Sequence, residues 1–346
     1  MRKLQKLAIS LTVLVVVCLL LSSCAQTEAK TKIKALIVPK FEIGEMSGDF
    51  PGEAQLFYEH YCAGCEEVAI PNTTPTSHFY VNEKNGVALL VTGSGKTAAG
   101  LSLASLLSWD AYDFSDATIV SVGCGGASTG SFVLGDVVVV TAACDAELGH
   151  RTDTSELKNP EAKHTWFADE SYNAYSCEKM SAELSDHAYE LIKDTPLRTT
   201  EISQRALAQN FPNEEWASRN PRVAKGSALT GDSYWKGKQG HTDANFIVEQ
   251  YGCPDEYAVT EMEETAIMNA AECFGLKDKV VSLRVVVNMD TFLKGESPES
   301  LWLDDTDFSN MVTEENSETL DIFEPGMENL FDTGRIVIDA VLAGEL

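Results

Sequence analysis

Two glycine clusters present backbone that a ligand could approach closely. The first, Thr92-Gly93-Ser94-Gly95-Lys96-Thr97, follows an apolar run and opens a helical pattern. A phosphate-wrapping P-loop needs a glycine five positions before Gly95, where this chain carries Leu90, so the loop is too short for that wrap. Read as Gly-x-Gly-x-x-Ala, residues 93–98 fit a loose dinucleotide fingerprint, but on a later strand and not in the first βα unit. The second cluster, Gly123-Cys124-Gly125-Gly126, has Ser128 where a dinucleotide loop has its third glycine. Each cluster suits amide contacts to a ligand at a strand end or helix start, and equally suits close packing of neighbouring backbone. Cys62-Ala63-Gly64-Cys65 reads as a local disulfide, two free thiols or a redox pair. No second Cys-x-x-Cys completes a zinc site, and the six histidines (60, 78, 150, 164, 187 and 241) lack His-Glu-x-x-His spacing, so neither a metal nor an organic cofactor is expected.

These loops need strands and helices to hold them. Branched apolar runs at Ile33–Val38, Val87–Thr92, Thr118–Val122, Asp136–Thr141 and Val280–Val287 predict strands, several buried on both faces. Apolar residues recurring at three and four predict helices over Thr97–Ser108, Ser176–Asp194, Glu261–Phe274 and Gly334–Leu342. Strands alternating with helices give an α/β layered fold. The polar stretch Asp145–Lys163 reads as a surface excursion or lid, and Glu296–Glu324, rich in acids, as an irregular connection before the last helix. No internal repeat or linker divides the chain.

The whole chain has 26 Lys and Arg against 53 Asp and Glu, a net charge of -27 over 346 residues. A surface that acidic repels phosphate backbones, which excludes nucleic acid as a general partner. The N-terminus has the opposite character: Arg2, Lys3 and Lys6 precede an apolar run from Leu7 to Leu21, and Leu21-Ser22-Ser23-Cys24 follows. The run is shorter than the ~20 residues of a spanning helix and ends in small residues, as a signal peptide does. Leu-Ser-Ser-Cys also resembles a bacterial lipobox, with Cys24 acylated and first in the mature chain; the alternative is an uncleaved anchor helix. Both place the body outside the cytoplasm, tethered to the bacterial cell membrane. The expected organisation is a signal peptide over 1–23, a tether over 24–32 and one domain over 33–346. Removal of 1–23 leaves 323 residues with 23 basic against 53 acidic, a balance of -30. No later run reaches spanning length, so transport would require a separate membrane partner.

Four segments taken in order resemble the nucleoside phosphorylase and nucleosidase superfamily: Thr92-Gly93-Ser94-Gly95-Lys96; Val122-Gly123-Cys124-Gly125-Gly126 leading to Gly135-Asp136-Val137-Val138-Val139; Thr260-Glu261-Met262-Glu263-Glu264-Thr265-Ala266; and Leu283-Arg284-Val285-Val286-Val287-Asn288. More closely, Phe41-Glu42-Ile43-Gly44-Glu45, Gly48-Asp49-Phe50-Pro51-Gly52-Glu53, Gly231-Asp232-Ser233-Tyr234-Trp235 and Phe323-Glu324-Pro325-Gly326-Met327-Glu328-Asn329 resemble the purine nucleoside permease family. The segments span most of the mature chain.

The resemblance implies a three-layer α/β/α fold around a mixed, partly barrel-like sheet, with a nucleoside cleft at the strand ends. Met262 and Glu263 match the pair that holds ribose, a carboxylate being suited to accept from two adjacent hydroxyls. Tyr234 matches the aromatic that stacks on the base, and Asn288 the residue at the purine edge. Thr92 with the amides of Gly93 and Gly95 matches the phosphate or nucleophilic-water side, and Gly125 the adjoining glycine cluster. Phosphorylases supply arginines from the loop after the first strand, whereas Pro39–Glu45 here offers Lys40 beside Glu42 and Glu45. That departure disfavours phosphorolysis and suits water activation by Glu42 or Glu45. Inorganic phosphate stays open as a co-substrate through a positive site made by Lys40, Lys96 or Arg284. The expectation is therefore a lipid-anchored purine nucleoside-binding protein of nucleoside uptake, the alternative being a phosphorylase or hydrolase that cleaves the N-glycosidic bond. Its partners would be the nucleoside, the membrane through Cys24 and a membrane transporter, with a homo-oligomer left open.

Overall fold

Branched apolar segments too hydrophobic for a surface are stacked side by side, each covering its neighbours. The computed structural model describes residues 30–153, 156, 158, 164–167, 177–233, 236–292 and 317–346, with side chains of the last helix from residue 322. Nine strands among the described residues form one mixed sheet: β1 (Ala35–Val38), β2 (His78–Asn82), β3 (Val87–Val91), β4 (Thr118–Ala127), β5 (Val137–Asp145), β6 (Cys177–Lys179), β7 (Val223–Thr230), β8 (Tyr257–Glu261) and β9 (Val280–Met289). The longer helices among the described residues are α1 (Lys96–Ser108), α2 (Ala182–Ile192), α3 (Glu201–Asn210), α4 (Lys238–Gln250), α5 (Glu264–Cys273) and α6 (Ser317–Ala343).

Strands follow the order β6-β5-β7-β8-β4-β1-β3-β2, and β9 pairs parallel with β4 and antiparallel with β5. That double pairing closes β4, β9, β5, β7 and β8 into a five-stranded barrel, from which β1, β3 and β2 extend as an open wing. Period-two alternation sorts the side chains of the wing. Leu36, Val38, Ala88 and Leu90 pack with α1 (Ala99, Leu103, Leu106) and α5 (Ile267, Met268, Ala271). Ala35, Ile37, Val87 and Leu89 pack in a second cluster with α2 (Ala188, Ile192) and α6 (Leu330, Val337, Ile338, Val341). Two helical layers therefore enclose the sheet, and each buried Leu, Ile or Val contributes roughly 1.5–3 kcal/mol.

The structure corrects several boundaries. The expected helix over Ser176–Asp194 begins only at Ala182, capped by the Ser181 side chain; Cys177–Lys179 ahead of it is a strand in antiparallel register with Cys144, Ala143 and Ala142. Likewise Glu261 ends a strand, and helix α5 starts at Glu264. Thr118–Val122 extends to Ala127, so the second glycine cluster lies inside a strand and not in a loop. The expected irregular connection to Glu324 is overturned from Ser317 on, where α6 continues through Pro325; residues 296–316 lie outside the described residues. A proline costs a helix one hydrogen bond, but the buried Met327, Leu330 and Ile338 hold this one in place. Of the expected lid, His150–Arg151 pairs with Trp166–Phe167, and much of the intervening chain lies outside the described residues. Thr31–Lys32, assigned to the tether, pairs with Tyr112–Asp113. Signal peptide and Cys24 fall outside the described residues, and no helix among those described is long and apolar enough to cross a membrane.

Asn329, in the last family-like segment, fastens α6 to the sheet. Its fully buried amide accepts from Arg198 N at 2.7 Å and donates to Gly135 O at 3.1 Å and Arg198 O at 2.9 Å. Replacing Asn329 by Ala strands these main-chain groups, each at about 1–3 kcal/mol. Denaturant unfolding of Asn329→Ala is therefore expected to show a loss of at least about 3 kcal/mol; an unchanged midpoint would refute the tie.

Candidate functional site

At the carboxyl end of β8 the chain reads Glu261-Met262-Glu263-Glu264, and α5 begins immediately after. Glu261 Oε2 accepts the main-chain N–H groups of Glu263 and Glu264, both at 2.8 Å, and Thr230 Oγ1 donates to its other oxygen. This local loop turns three successive carboxylates inward. They meet Arg284 of β9, whose side chain is fully buried: Nη2 lies 2.8 Å from both Glu261 Oε2 and Glu264 Oε2, and Nη1 is 3.7 Å from Glu263 Oε2. Nη1 and Nε have no hydrogen-bond partner among the described residues.

Lys40, just past β1, adds a second buried cation. Its Nζ donates to Val38 O (2.9 Å), Ser121 Oγ (2.7 Å) and Val122 O (2.9 Å), and Ser121 Oγ donates onward to Glu264 Oε2 at 2.7 Å. Burial, and then the charge of Arg284, push the Lys40 amine down to about 8. Burial pushes the Glu264 carboxyl up, but Arg284, Lys40 and the Ser121 hydroxyl outweigh it and hold it below the usual range. Glu53, the last residue of the Gly48–Glu53 segment and one that no sequence motif singles out, completes the cluster. It accepts from Lys40 N at 2.8 Å and Cys124 N at 2.7 Å. Gly123 lets this happen, since a Cβ there would lie 2.4 Å from Arg284 Nη1 and 2.9 Å from Glu53 Oε1. Two cations thus face four buried carboxylates.

The amides proposed from sequence to meet a phosphate are already engaged. Gly95 N donates to Glu263 Oε1 at 2.8 Å, and Lys96 N to Asp232 Oδ1 at 2.7 Å, so protein carboxylates occupy the N-terminus of α1. The conformation at Gly95 (φ 88°) is one that residues with a side chain rarely adopt. Gly93 N donates to Lys40 O, Thr92 Oγ1 to Gly93 O, and Gly125 packs against Thr260 O. The Lys96 ammonium is closed by Glu147 (2.8 Å) and Asp145 (3.1 Å).

Glu42 and Glu45 separate from this centre. Both Glu42 oxygens serve main-chain amides, those of Ile43 (2.8 Å), Ala54 (2.9 Å), Gln55 (2.5 Å) and Gly52, which fixes the loop after β1. Phe50 stacks on Phe323 at 5.8 Å and Phe41 approaches it at 6.4 Å, so three family-like segments meet there. Glu45 is exposed. At the other side of the barrel mouth, the half-buried Asn288 and the buried Asp290 flank Gly126; a Cβ on Gly126 would lie 2.7 Å from Asn288 Nδ2 and 2.1 Å from Asp290 Oδ1. Asp290 accepts from Thr260 Oγ1 at 2.8 Å and from the Tyr257 hydroxyl, and burial raises its carboxyl well above the usual range. Met262 is half-buried beside Glu263, and Tyr234 lies outside the described residues. Gly126-Ala127-Ser128-Thr129-Gly130 has the spacing of a serine-hydrolase elbow, but β4 runs on into a turn and not a helix. Ser128 is buried 3.3 Å from His241 Nε2, and Nδ1 of that ring faces the Asn245 amide at 3.4 Å where a triad needs a carboxylate.

A five-stranded barrel with an open wing, helices on both faces and charged residues gathered at the strand ends defines a protein of the nucleoside phosphorylase and nucleosidase fold. Solved structures agree. A Helicobacter pylori 5'-methylthioadenosine/S-adenosylhomocysteine nucleosidase superimposes with a TM-score of 0.54 at 13% identity, over 90% of this chain and 99% of that one. A Colwellia psychrerythraea enzyme of the same description gives 0.54 at 18%, over 90% and 96%, and the Helicobacter pylori futalosine hydrolase 0.53 at 14%, over 88% and 97%. Within that fold the chain belongs to the purine nucleoside permease family, whose model matches residues 32–344. A probable purine nucleoside permease of Schizosaccharomyces pombe is 26% identical over an alignment of 225 residues that covers 60% of this chain and 64% of that relative.

Glu263 is the cluster's adjustable member. Burial raises its carboxyl to about 7; Arg284 opposes the rise, and the neighbouring Glu261 and Glu53 add to it. A carboxyl raised in the folded state stabilises the fold most below its unfolded value of 4.5, and that contribution is lost as pH climbs towards 7. Substituting Glu263 by Gln is therefore expected to flatten the fall in stability between about pH 4.5 and 7. Unfolding midpoints across this range test it; parallel profiles for the two proteins would exclude the shift.

Proposed function

We propose that this chain binds a neutral purine nucleoside at the barrel mouth, outside the cytoplasm, on a lipid anchor at Cys24 and in the service of nucleoside uptake. The observation that carries the reading is Glu263, buried at the strand ends between Gly95 N and Arg284 in a chain of this family. As a carboxylate it accepts hydrogen bonds from two adjacent sugar hydroxyls, with Met262 against the sugar face. Asn288, with Asp290 next to it, takes the base edge, and Tyr234 stacks on the base. A neutral ligand suits the charge balance: Lys96 and Arg284 are paired with carboxylates, the Lys40 ammonium is taken up by Val38 O, Ser121 Oγ and Val122 O, and a phosphate would enter an excess of negative charge. Entry of the nucleoside into the cell then falls to a separate membrane transporter.

Hydrolysis of the N-glycosidic bond is the second reading, favoured by Glu53. It is the carboxylate after β1 whose charge acts on Lys40 and Arg284, and each of its oxygens holds one main-chain amide, whereas Glu42 holds four. In that role Glu53 takes a proton from the attacking water while Asn288 and Asp290 stabilise the departing base.

Purified protein incubated with inosine, adenosine and guanosine, with and without phosphate, separates the readings by saturable binding and by release of free base. Binding without base supports the uptake reading; base in the absence of phosphate supports hydrolysis, and Glu53→Gln should then abolish it. Base only with phosphate would overturn the charge argument. Affinity should rise with pH through about 7 as Glu263 ionises and become pH-independent and at least about tenfold weaker in Glu263→Gln, the loss of roughly one charge-assisted hydrogen bond. For the anchor, Cys24→Ala should move the protein from the membrane fraction to the soluble one; continued membrane attachment would favour an uncleaved helix.

A further inference from the structure

Away from the barrel mouth, three cysteines remote in sequence converge. Cys144 is the penultimate residue of β5, just before Asp145, Cys177 opens the edge strand β6 directly opposite it, and Cys253 follows α4. Their sulfurs form a triangle: Cys144–Cys177 2.7 Å, Cys144–Cys253 3.0 Å and Cys177–Cys253 3.3 Å. No described cysteine is in a disulfide. The triangle is packed by Trp166, Ala146, Leu229, Ile247 and Tyr257. Apolar packing alone gives no reason to bring three sulfurs closer than ordinary contact.

We propose that Cys144, Cys177 and Cys253 form a three-thiolate site for one soft, closed-shell metal ion of the Cu(I) class. Thiolates select soft ions. A tetrahedral Zn(II) site needs a fourth ligand, and among the described residues no His, Asp or Glu joins the three sulfurs; the nearby Ser227 hydroxyl hydrogen-bonds Cys253 and is not a customary zinc ligand. A three-coordinate ion requires no fourth ligand. With metal–sulfur bonds of about 2.3 Å the sulfurs stand about 4 Å apart, so each withdraws by roughly half an ångström, a rotamer-scale adjustment. A disulfide would use two sulfurs about 2.05 Å apart and leave the third idle against it. Binding exchanges each S–H proton, released to solvent, for a sulfur–metal bond, with no change of oxidation state. Lys179, two positions along β6, supplies positive charge that acts on Cys177 and Cys253 and offsets the excess negative charge of the loaded site. The ion would staple β6 and the turn after α4 to β5, directly behind the Asp145 that holds Lys96.

The test uses the full chain, reduced anaerobically and titrated with Cu(I) against a competing chromogenic Cu(I) chelator. One equivalent should stay with the protein and give a near-ultraviolet thiolate-to-metal band. Zn(II) should be released under equal competition. Bound Cu(I) should shield Cys144, Cys177 and Cys253 from alkylation, mapped by mass spectrometry, while the exposed Cys273 is labelled; this readout needs no variant. Cys177→Ser and Cys253→Ser should each weaken retention by more than the roughly 10–100-fold that loss of an outer-shell partner costs, with Cys273→Ser unchanged. Complete stripping by the chelator, preferential retention of Zn(II), protection of other cysteines, or a Cys144–Cys177 disulfide that survives the reductant would each overturn the proposal.

Discussion

Arg284 carries a permanent charge into the buried interior, and much of the surrounding architecture answers that fact. An isolated ion in such a medium is prohibitively costly, so opposite charges must be fixed beside it with their remaining hydrogen bonds satisfied. Glu261 and Glu264 supply two, both 2.8 Å from Nη2, and each is itself held, Glu261 by the Glu263 and Glu264 amides and Glu264 by Ser121. Lys40 enters through the same Ser121 hydroxyl. The β8–α5 junction, the end of β1 and the middle of β4 are thus locked to one guanidinium on β9. Removing Arg284 would leave Glu261 and Glu264 buried without their counter-ion, which costs far more than the cluster contributes over an apolar replacement.

Backbone geometry makes room for the cluster. Only a residue without a side chain at position 123 allows Arg284 and Glu53 to approach β4 from the same side. Because β9 bridges β4 and β5, the barrel closes at the place where the charges collect. Closure and charge therefore reinforce one another: the barrel excludes water, and exclusion strengthens the ion pairs.

The sign of the balance matters more than its size. Carboxylates outnumber cations in the buried cluster and again around Lys96, and the first amides of α1 are held by Glu263 and Asp232. A helix start that elsewhere in biology receives anions is filled here by the protein's own acids. The overall charge of -27 thus has a local counterpart at the barrel mouth, and it bears on which ligands that mouth accepts.

Much of the scaffold was legible in the sequence because the signals are local. Runs such as Val87–Val91 and Val280–Val287 announce strands, and the order of the glycine, acid and arginine segments pointed to the family and to the barrel-like sheet. Less legible were strands with weaker patterns: β7 carries Lys225 and Gly226, and β8 is only five residues long, so pairing with neighbours decided them. Side-chain assignments depended on still longer distances. Glu42 looked free to act as a base until four amides from its own loop claimed it, and Glu53 looked unremarkable until Cys124, 71 residues away, reached it. The Cys144, Cys177 and Cys253 triangle has no spacing to betray it, since strand register and the turn after α4 bring it together. Sequence alone determined the strongly apolar strands, the more periodic helices and which residues carry charge, as these follow from neighbours within a few positions. Which carboxylate meets which cation, and which amides remain for a ligand, was decided only by tertiary structure, because barrel closure sets those distances.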